Sequence, residues 1–174
     1  MSDFCCGVSE MLLDLRNVFL NEDFVLQETY TFDMTNTVID GIKPFSSVVT
    51  AEIRAENRAG IVRLFLATAF DLTKPCDRCG TEVTRKFHYN FEHYLVVSLS
   101  GDQNDDYIET PDYTLDIDEL LRSDILLELP LKYLCREDCK GLCPVCGANR
   151  NEVQCNCAVK SVDPRLEALR QFMN

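Results

Sequence analysis

The sequence predicts an α+β protein: an antiparallel, barrel-like or strongly twisted β-sheet, one or two helices, and a C-terminal cysteine-rich segment that binds zinc. Three observations predict it. Apolar and polar residues alternate along much of residues 11–99, the period of a sheet with one buried and one wetter face. Two later stretches change to helical spacing, each opened by an aspartate that can cap a helix. Eight of the ten cysteines fall into ligand-like pairs, six of them in a segment poor in large apolar side chains.

The elements follow in order. Residues 1–10 read as an N-terminal extension, because apolar patterning begins near Met11, a methionine that offers a candidate alternative start. Cys5 and Cys6 lie there, adjacent and outside any C-x-x-C frame, and are assigned no role. Residues 11–129 form a β-rich domain with an acidic loop and a helix; residues 130–174 form a cysteine-rich tail with a C-terminal helix. Within the domain, Phe24–Phe32 alternates in part, with Phe24, Leu26 and Tyr30 on one side of the pleat. Val48–Glu56 and Ile61–Phe70 flank Asn57-Arg58-Ala59-Gly60, a polar, glycine-containing hairpin signal. Val62, Leu64, Leu66 and Phe70 share one face, opposite Arg63. Val83, Phe87, Tyr89 and Phe91 then alternate with polar residues.

A loop at Ser100–Asp106 precedes a helix. Asp116, with Glu119 three residues on, offers a capping box, and Ile117, Leu120, Leu121 and Ile125 supply an apolar stripe. Pro130 requires that this helix end by Leu129. A second helix opens at Asp163-Pro164, with proline at the first helical position, where its missing N–H costs nothing.

Charge narrows the partners. The net charge is −12, and residues 101–128 carry −9 of it through ten acids and one base, Arg122. Phosphate backbones are bound chiefly by Lys and Arg, so this chain is poorly suited to bare nucleic acid and better suited to a basic protein. The start lacks a signal peptide or an Arg-rich transit sequence, and no apolar run approaches the ~18 residues of a membrane span. These features place the chain in the cytoplasm, where thiols stay reduced and clustered cysteines bind metal.

Cys76-Asp-Arg-Cys79-Gly and Cys143-Pro-Val-Cys146-Gly are both C-x-x-C-G knuckles. The glycine takes the positive φ that a tight turn around a sulfur pair needs. Cys135-x3-Cys139 and Cys155-Asn-Cys157 add two further pairs. All-sulfur ligation favours zinc over magnesium or calcium, with iron–sulfur chemistry open from ligand type alone. One or two ions fit the count. In the preferred division Cys143, Cys146, Cys155 and Cys157 share one ion, while Cys76 and Cys79 meet Cys135 and Cys139 around another, tying the sheet to the tail. The alternative joins Cys135, Cys139, Cys143 and Cys146 and leaves the others free.

Catalytic signals are sparse. His88 and His93 are the two histidines, and their odd spacing in a strand directs them to opposite faces. Glycine-rich phosphate loops, G-x-S-x-G and H-E-x-x-H do not occur. The chain therefore reads as a non-enzyme, with a zinc-dependent RNA-processing enzyme and a zinc-ribbon nucleic-acid-binding protein as the alternatives.

The tail carries a resemblance. Glu128-Leu-Pro-Leu-Lys, the run from Cys135 to Asn149, Cys155-Asn-Cys157 and Asp163-Pro-Arg-Leu-Glu-Ala-Leu closely resemble the bacterial YceD family, the large ribosomal RNA subunit accumulation proteins. Cys76-Asp-Arg-Cys79-Gly fits that family's C-x-R-C element. The resemblance implies a part in ribosome biogenesis, in producing or stabilising large-subunit ribosomal RNA, and implies no catalytic residues. Direct RNA contact would need a local basic face, for which Arg54, Arg58, Arg63, Lys74, Arg78, Arg85, Lys86, Lys132, Arg136, Lys140 and Arg150 are candidates. A ribosomal protein or assembly factor bound by the acidic stretch is the expected partner, with rRNA affected indirectly and neither a membrane nor a small-molecule substrate involved.

Overall fold

The computed structural model describes residues 11–98 and 106–157. They divide into two compact units. The first takes residues up to Lys74 together with Thr84–Leu131; the second takes Pro75–Val83 and the residues from Lys132 onward.

The first unit is α+β. Its elements are β1 (Leu12–Asp14), α1 (Arg16–Leu20), β2 (Val25–Phe32), β3 (Val49–Arg58), β4 (Ile61–Pro75), β5 (Glu82–Val96), β6 (Tyr107–Glu109), β7 (Thr114–Asp116) and α2 (Ile117–Glu128). The ends of β4 and β5 run on into the second unit. Five strands make one mixed sheet in the order β2-β3-β4-β5-β6, and β1 pairs antiparallel with β7 in a second.

The alternation read from the sequence is what builds the core. Val49, Ala51, Ile53 and Ala55 on β3 are buried, as are Val62, Leu64, Leu66, Phe70 and Leu72 on β4. In register, Ile53 faces Leu66 and Ala55 faces Leu64. Burying a leucine or isoleucine contributes roughly 2 kcal/mol, so this one face supplies much of the unit's stability. Helix α2 adds Ile117, Leu121 and Ile125. Its start is capped as expected: the Asp116 carboxylate accepts from the Glu119 N–H at 3.0 Å. Leu129, ahead of Pro130, has left the helix.

The hairpin is tighter than the four-residue signal suggests. Arg58 pairs with Ile61, leaving Ala59 and Gly60 as a two-residue turn with φ of 53° and 84°. Both central residues at positive φ match the right-handed twist of the flanking strands. Asn57 braces it, accepting from the Gly60 N–H at 3.0 Å and donating to the Phe19 carbonyl at 2.9 Å.

Two features depart from the expected all-strand reading of residues 11–99 and from a wholly antiparallel sheet. Leu15, the N-cap, and Val18, inside α1, are both fully buried, and the helix is too short for its period to stand out. Strand β6 runs parallel to β5, pairing Tyr94 with Tyr107 and Val96 with Glu109. A parallel neighbour cannot be joined by a tight hairpin turn. Phe24, read with Leu26 and Tyr30 on one side of the pleat, is exposed and lies just before β2. The helix expected from Asp163 and the pair Cys5 and Cys6 lie outside the described residues, as do Asp102 and Asp105. Among the described residues no helix is long and apolar enough to cross a membrane.

The second unit is built from turns. Tyr133, almost fully buried, is its main organising side chain apart from the cysteines. Its N–H donates to the Asp77 carboxylate at 2.6 Å, its carbonyl accepts from the Asp77 N–H at 2.8 Å, and its hydroxyl donates to the Val83 carbonyl at 3.0 Å. These bonds join Pro75–Val83 to the start of the tail.

Candidate metal centre

Each knuckle follows from its own sequence. In Cys76–Gly80, the Gly80 N–H donates to the Cys76 carbonyl at 2.8 Å and the Cys76 N–H to the Thr81 carbonyl at 2.8 Å. In Cys143–Gly147, the Gly147 N–H donates to the Cys143 carbonyl and the Cys143 N–H to the Ala148 carbonyl, again at 2.8 Å. Gly80 has φ 70° and Gly147 φ 73°, the left-handed region that glycine enters without strain.

The eight sulfurs form two groups. Cys76, Cys79, Cys135 and Cys139 make one, and Cys143, Cys146, Cys155 and Cys157 the other. Within each, all four sulfurs lie within 4.8 Å of one another. This grouping coincides with the first of the two divisions read from spacing, and both clusters lie in the second unit.

Distances test what such a group can hold. Four sulfurs each about 2.3 Å from one central ion, at tetrahedral angles, sit roughly 3.8 Å apart. In the first cluster the Cys76 and Cys139 sulfurs are 3.8 Å apart and those of Cys79 and Cys135 are 3.7 Å apart. A disulfide would need about 2.05 Å; all eight cysteines are free thiols. A multi-iron cluster interposes several atoms between cysteine sulfurs and holds them farther apart. The donor set and spacing therefore fit a single thiophilic ion in each cluster.

The electrostatics suit a cation too. Burial opposes ionisation of Cys76, yet the backbone N–H groups of Cys135, Arg78 and Cys79 directed at its sulfur outweigh it and lower the thiol to about 6. Cys143 is lowered to about 6 by the backbone N–H groups of Cys146 and Val145 and by its bond with Cys155. Their neighbours move the other way. Burial, with the thiols of Cys139, Cys79 and Cys76, raises Cys135 to about 12; the bond with Cys146, with burial, raises Cys157 to about 12. Each cluster thus holds at least one sulfur pushed toward the thiolate and at least one pushed toward the thiol, whose proton a dication would displace.

The clusters differ in their surroundings. Cys76, Cys79 and Cys139 are 2%, 7% and 4% exposed, with Leu134 and Cys135 packed against them. Asn151, which sequence reasoning passes over, donates its amide to the Cys139 sulfur at 3.3 Å and accepts from the Lys140 N–H at 2.8 Å. Burial disfavours the Cys139 thiolate, and that amide with the Gly141 N–H more than compensates, lowering its pKa. Arg78, by sequence a candidate RNA contact, instead donates from its guanidinium to the Cys139 carbonyl at 3.0 Å. The Arg78 carbonyl in turn accepts from the Leu142 N–H, and a Cβ on Gly141 would sit 3.0 Å from it. In the second cluster only Cys143 is buried; Cys155 and Cys157 are half-buried and Cys146 is exposed.

Several other candidate bases are engaged locally. Arg54 and Arg58 bridge to Glu56 at 3.0 and 3.3 Å, Arg63 to Glu92 at 2.6 Å, Lys74 to Asp40 at 3.0 Å and Arg136 to Asp138 at 3.4 Å. Three acids of the acidic window also have structural work: Asp116 caps α2, Asp118 is buried, and Asp124 meets the His93 ring at 2.7 Å. Burial and the bond to Asp118 push the Tyr30 phenol up to about 12. His88 is exposed on the same strand that half-buries His93.

Comparison with known proteins gives the family. The family model described as large ribosomal RNA subunit accumulation protein YceD matches residues 66–173. The uncharacterized protein YlbN of Bacillus subtilis is 25% identical over 154 residues, covering 87% of this chain and 89% of its own. A Zea mays protein named large ribosomal RNA subunit accumulation protein YCED homolog 1, chloroplastic, is 39% identical over 74 residues, 39% of this chain and 25% of its own. An uncharacterized Mycobacterium bovis protein is 40% identical over 105 residues, 58% of this chain and 51% of its own. The chain thus spans about half or less of the maize and mycobacterial relatives, and most of the Bacillus one. No solved structure matches. With the family model spanning well over half its length, both cysteine clusters included, this chain belongs to the YceD family.

Proposed function

We propose that this protein is a non-enzymatic, cytoplasmic zinc protein that supports accumulation of large-subunit ribosomal RNA by binding a basic protein of the assembling subunit. The observation that carries the metal half is the pair of four-sulfur clusters, with sulfur separations of 3.7 and 3.8 Å in the first. Zinc is the ion in this reading because four thiolates and single-ion spacing are its structural ligation, and a reducing compartment keeps all eight thiols available. Four protein sulfurs complete a tetrahedron, whereas a hydrolytic zinc keeps a position for water; this supports a structural role. When bound, the ion would supply the cross-link that a turn-rich segment with little apolar core of its own needs.

The partner half is supported by charge. Asp106, Glu109, Asp112, Glu119 and Glu128 are exposed, while Arg54, Arg58 and Arg63 already face carboxylates. At the end of α2, Leu127 is 86% exposed beside Glu128, an apolar anchor within an acidic surface. The relation to ribosomal RNA rests on the family description and on the name of the maize relative.

Filter binding of the metal-loaded protein to purified large-subunit rRNA tests this reading. Weak binding at physiological salt, with the RNA left intact over hours, is expected. Tight binding with a steep salt dependence would favour a direct zinc-ribbon contact. Metal-dependent turnover of the RNA would favour an enzyme.

A further inference from the structure

We propose that the cluster of Cys143, Cys146, Cys155 and Cys157 is an oxidant-modifiable site, converted to disulfides by peroxide while the cluster of Cys76, Cys79, Cys135 and Cys139 persists. The inference rests on the metal reading above and adds a regulation to it. Two clusters of the same donor set, in one unit of one chain, differ in how an oxidant reaches them.

Thiolate oxidation depends on access as much as on ionisation, and buried sulfurs in packed surroundings are inert. In the first cluster three sulfur residues are buried, the fourth is packed with Leu134 against them, and Asn151 and the Thr81 hydroxyl stand 3.3 Å from the Cys139 and Cys79 sulfurs. An oxidant would have to displace these groups before it met a sulfur. The second cluster has Cys146 exposed and Cys155 and Cys157 half-buried, and its neighbours Leu142, Val145 and Val153 point outward, each about half exposed. Cys146 is the exposed sulfur residue of the two clusters.

The chemistry closes on groups already adjacent. The Cys146 thiolate attacks one peroxide oxygen, the O–O bond breaks, and hydroxide leaves and takes up a proton as water, giving a sulfenic acid. The Cys157 sulfur, within 4.8 Å, then attacks the Cys146 sulfur; the S–S bond forms, the S–O bond breaks, and a second hydroxide leaves as water. One peroxide is reduced to two waters, two thiolates are oxidised to one disulfide, and two protons are consumed. A second peroxide does the same for Cys143 and Cys155. Disulfide sulfurs bind a dication poorly, so this oxidation releases the ion and replaces its cross-link between Cys143–Cys146 and Cys155–Cys157 with two covalent ones.

The test uses the full chain, reduced and zinc-loaded. Ions per chain are counted by native mass spectrometry, and each cysteine is mapped by alkylation and peptide mass during titration with hydrogen peroxide. Two ions at the start, followed by loss of one together with Cys143, Cys146, Cys155 and Cys157 at least about tenfold faster than the first cluster, is the expected result. Simultaneous loss of both ions, or earlier oxidation of Cys76, Cys79, Cys135 and Cys139, would overturn the proposal and leave the metal reading standing. No ion at the start would overturn both. Cys146→Ser supplies an independent check: the chain should keep one ion, and that ion should resist the same peroxide.

Discussion

The two knuckles of this protein are nearly superposable in their hydrogen bonding, yet the clusters they open have different environments. Gly80 and Gly147 share a φ within a few degrees and make the same carbonyl bond at 2.8 Å. Identical local sequence logic, C-x-x-C-G, therefore yields identical local structure. What separates the clusters is the second pair of sulfurs. Cys135 and Cys139 arrive with Leu134, Tyr133 and the Asn151 amide, whereas Cys155 and Cys157 arrive on a short polar stretch. A ligand motif specifies the turn, and the residues between motifs specify how well the site is defended.

Breaking each cluster should give the largest effects and the clearest contrast. Structural zinc contributes on the order of 10 kcal/mol to a small metal-dependent fold. Cys139→Ser is expected to cost one ion and loosen the whole second unit, read as loss of hydrogen-exchange protection from Cys76 to Val83 and around Tyr133. Cys146→Ser should cost the other ion and expose only residues near 142–157. Equal loss of protection in the two variants would erase the distinction between a buried and an exposed site.

Glycine substitutions sharpen the comparison at smaller scale. Gly141→Ala forces a side chain into positive φ and against the Arg78 carbonyl at 3.0 Å, so a destabilisation of roughly 2–3 kcal/mol is expected. Gly147→Ala meets open space and carries only the backbone penalty of about 1–2 kcal/mol. Thermal melts of both variants in the metal-loaded state check the order.

Asn151→Ala removes one N–H···S bond and the acceptor for the Lys140 N–H, a loss of about 1–2 kcal/mol. It should speed chelator-driven release from the first cluster and leave the second unchanged, measured ion by ion in a competition with a zinc-binding dye. Acid should act on both clusters. Protons compete with the ion for the same sulfurs, so metal affinity should fall as the pH falls. Retention at neutral pH and progressive release on acidification is the expected profile, followed by mass spectrometry across a pH series.

Much of the fold is legible in the sequence, for identifiable reasons. The faces of β3 and β4 are readable because period-2 alternation sustained over many residues suits a half-buried strand and no helix; Arg63 falls opposite Val62, Leu64 and Leu66 as expected. The cap of α2 is readable because Asp116 and Glu119 carry the signature in their own side chains. Helix α1 is not, since five residues hold barely one period. The parallel edge at β6 is not, because strand direction is fixed by the path of the connection rather than by the three residues of the strand. At the candidate centre, spacing nominates all eight sulfurs but leaves their division open. Asn151 and Arg78 become visible only in three dimensions: an amide near a sulfur and a guanidinium on a carbonyl leave no periodic trace. Charge misleads in part, since Asp116, Asp118 and Asp124 count toward the acidic window while serving α2 and its contacts.

The most direct measurement is the number and identity of metal ions on the reduced, full-length chain by native mass spectrometry with elemental analysis. Two zinc ions per chain are expected, one lost in Cys76→Ser and the other in Cys143→Ser. A chain carrying no metal, or one whose two variants lose the same ion, would contradict two separate zinc clusters.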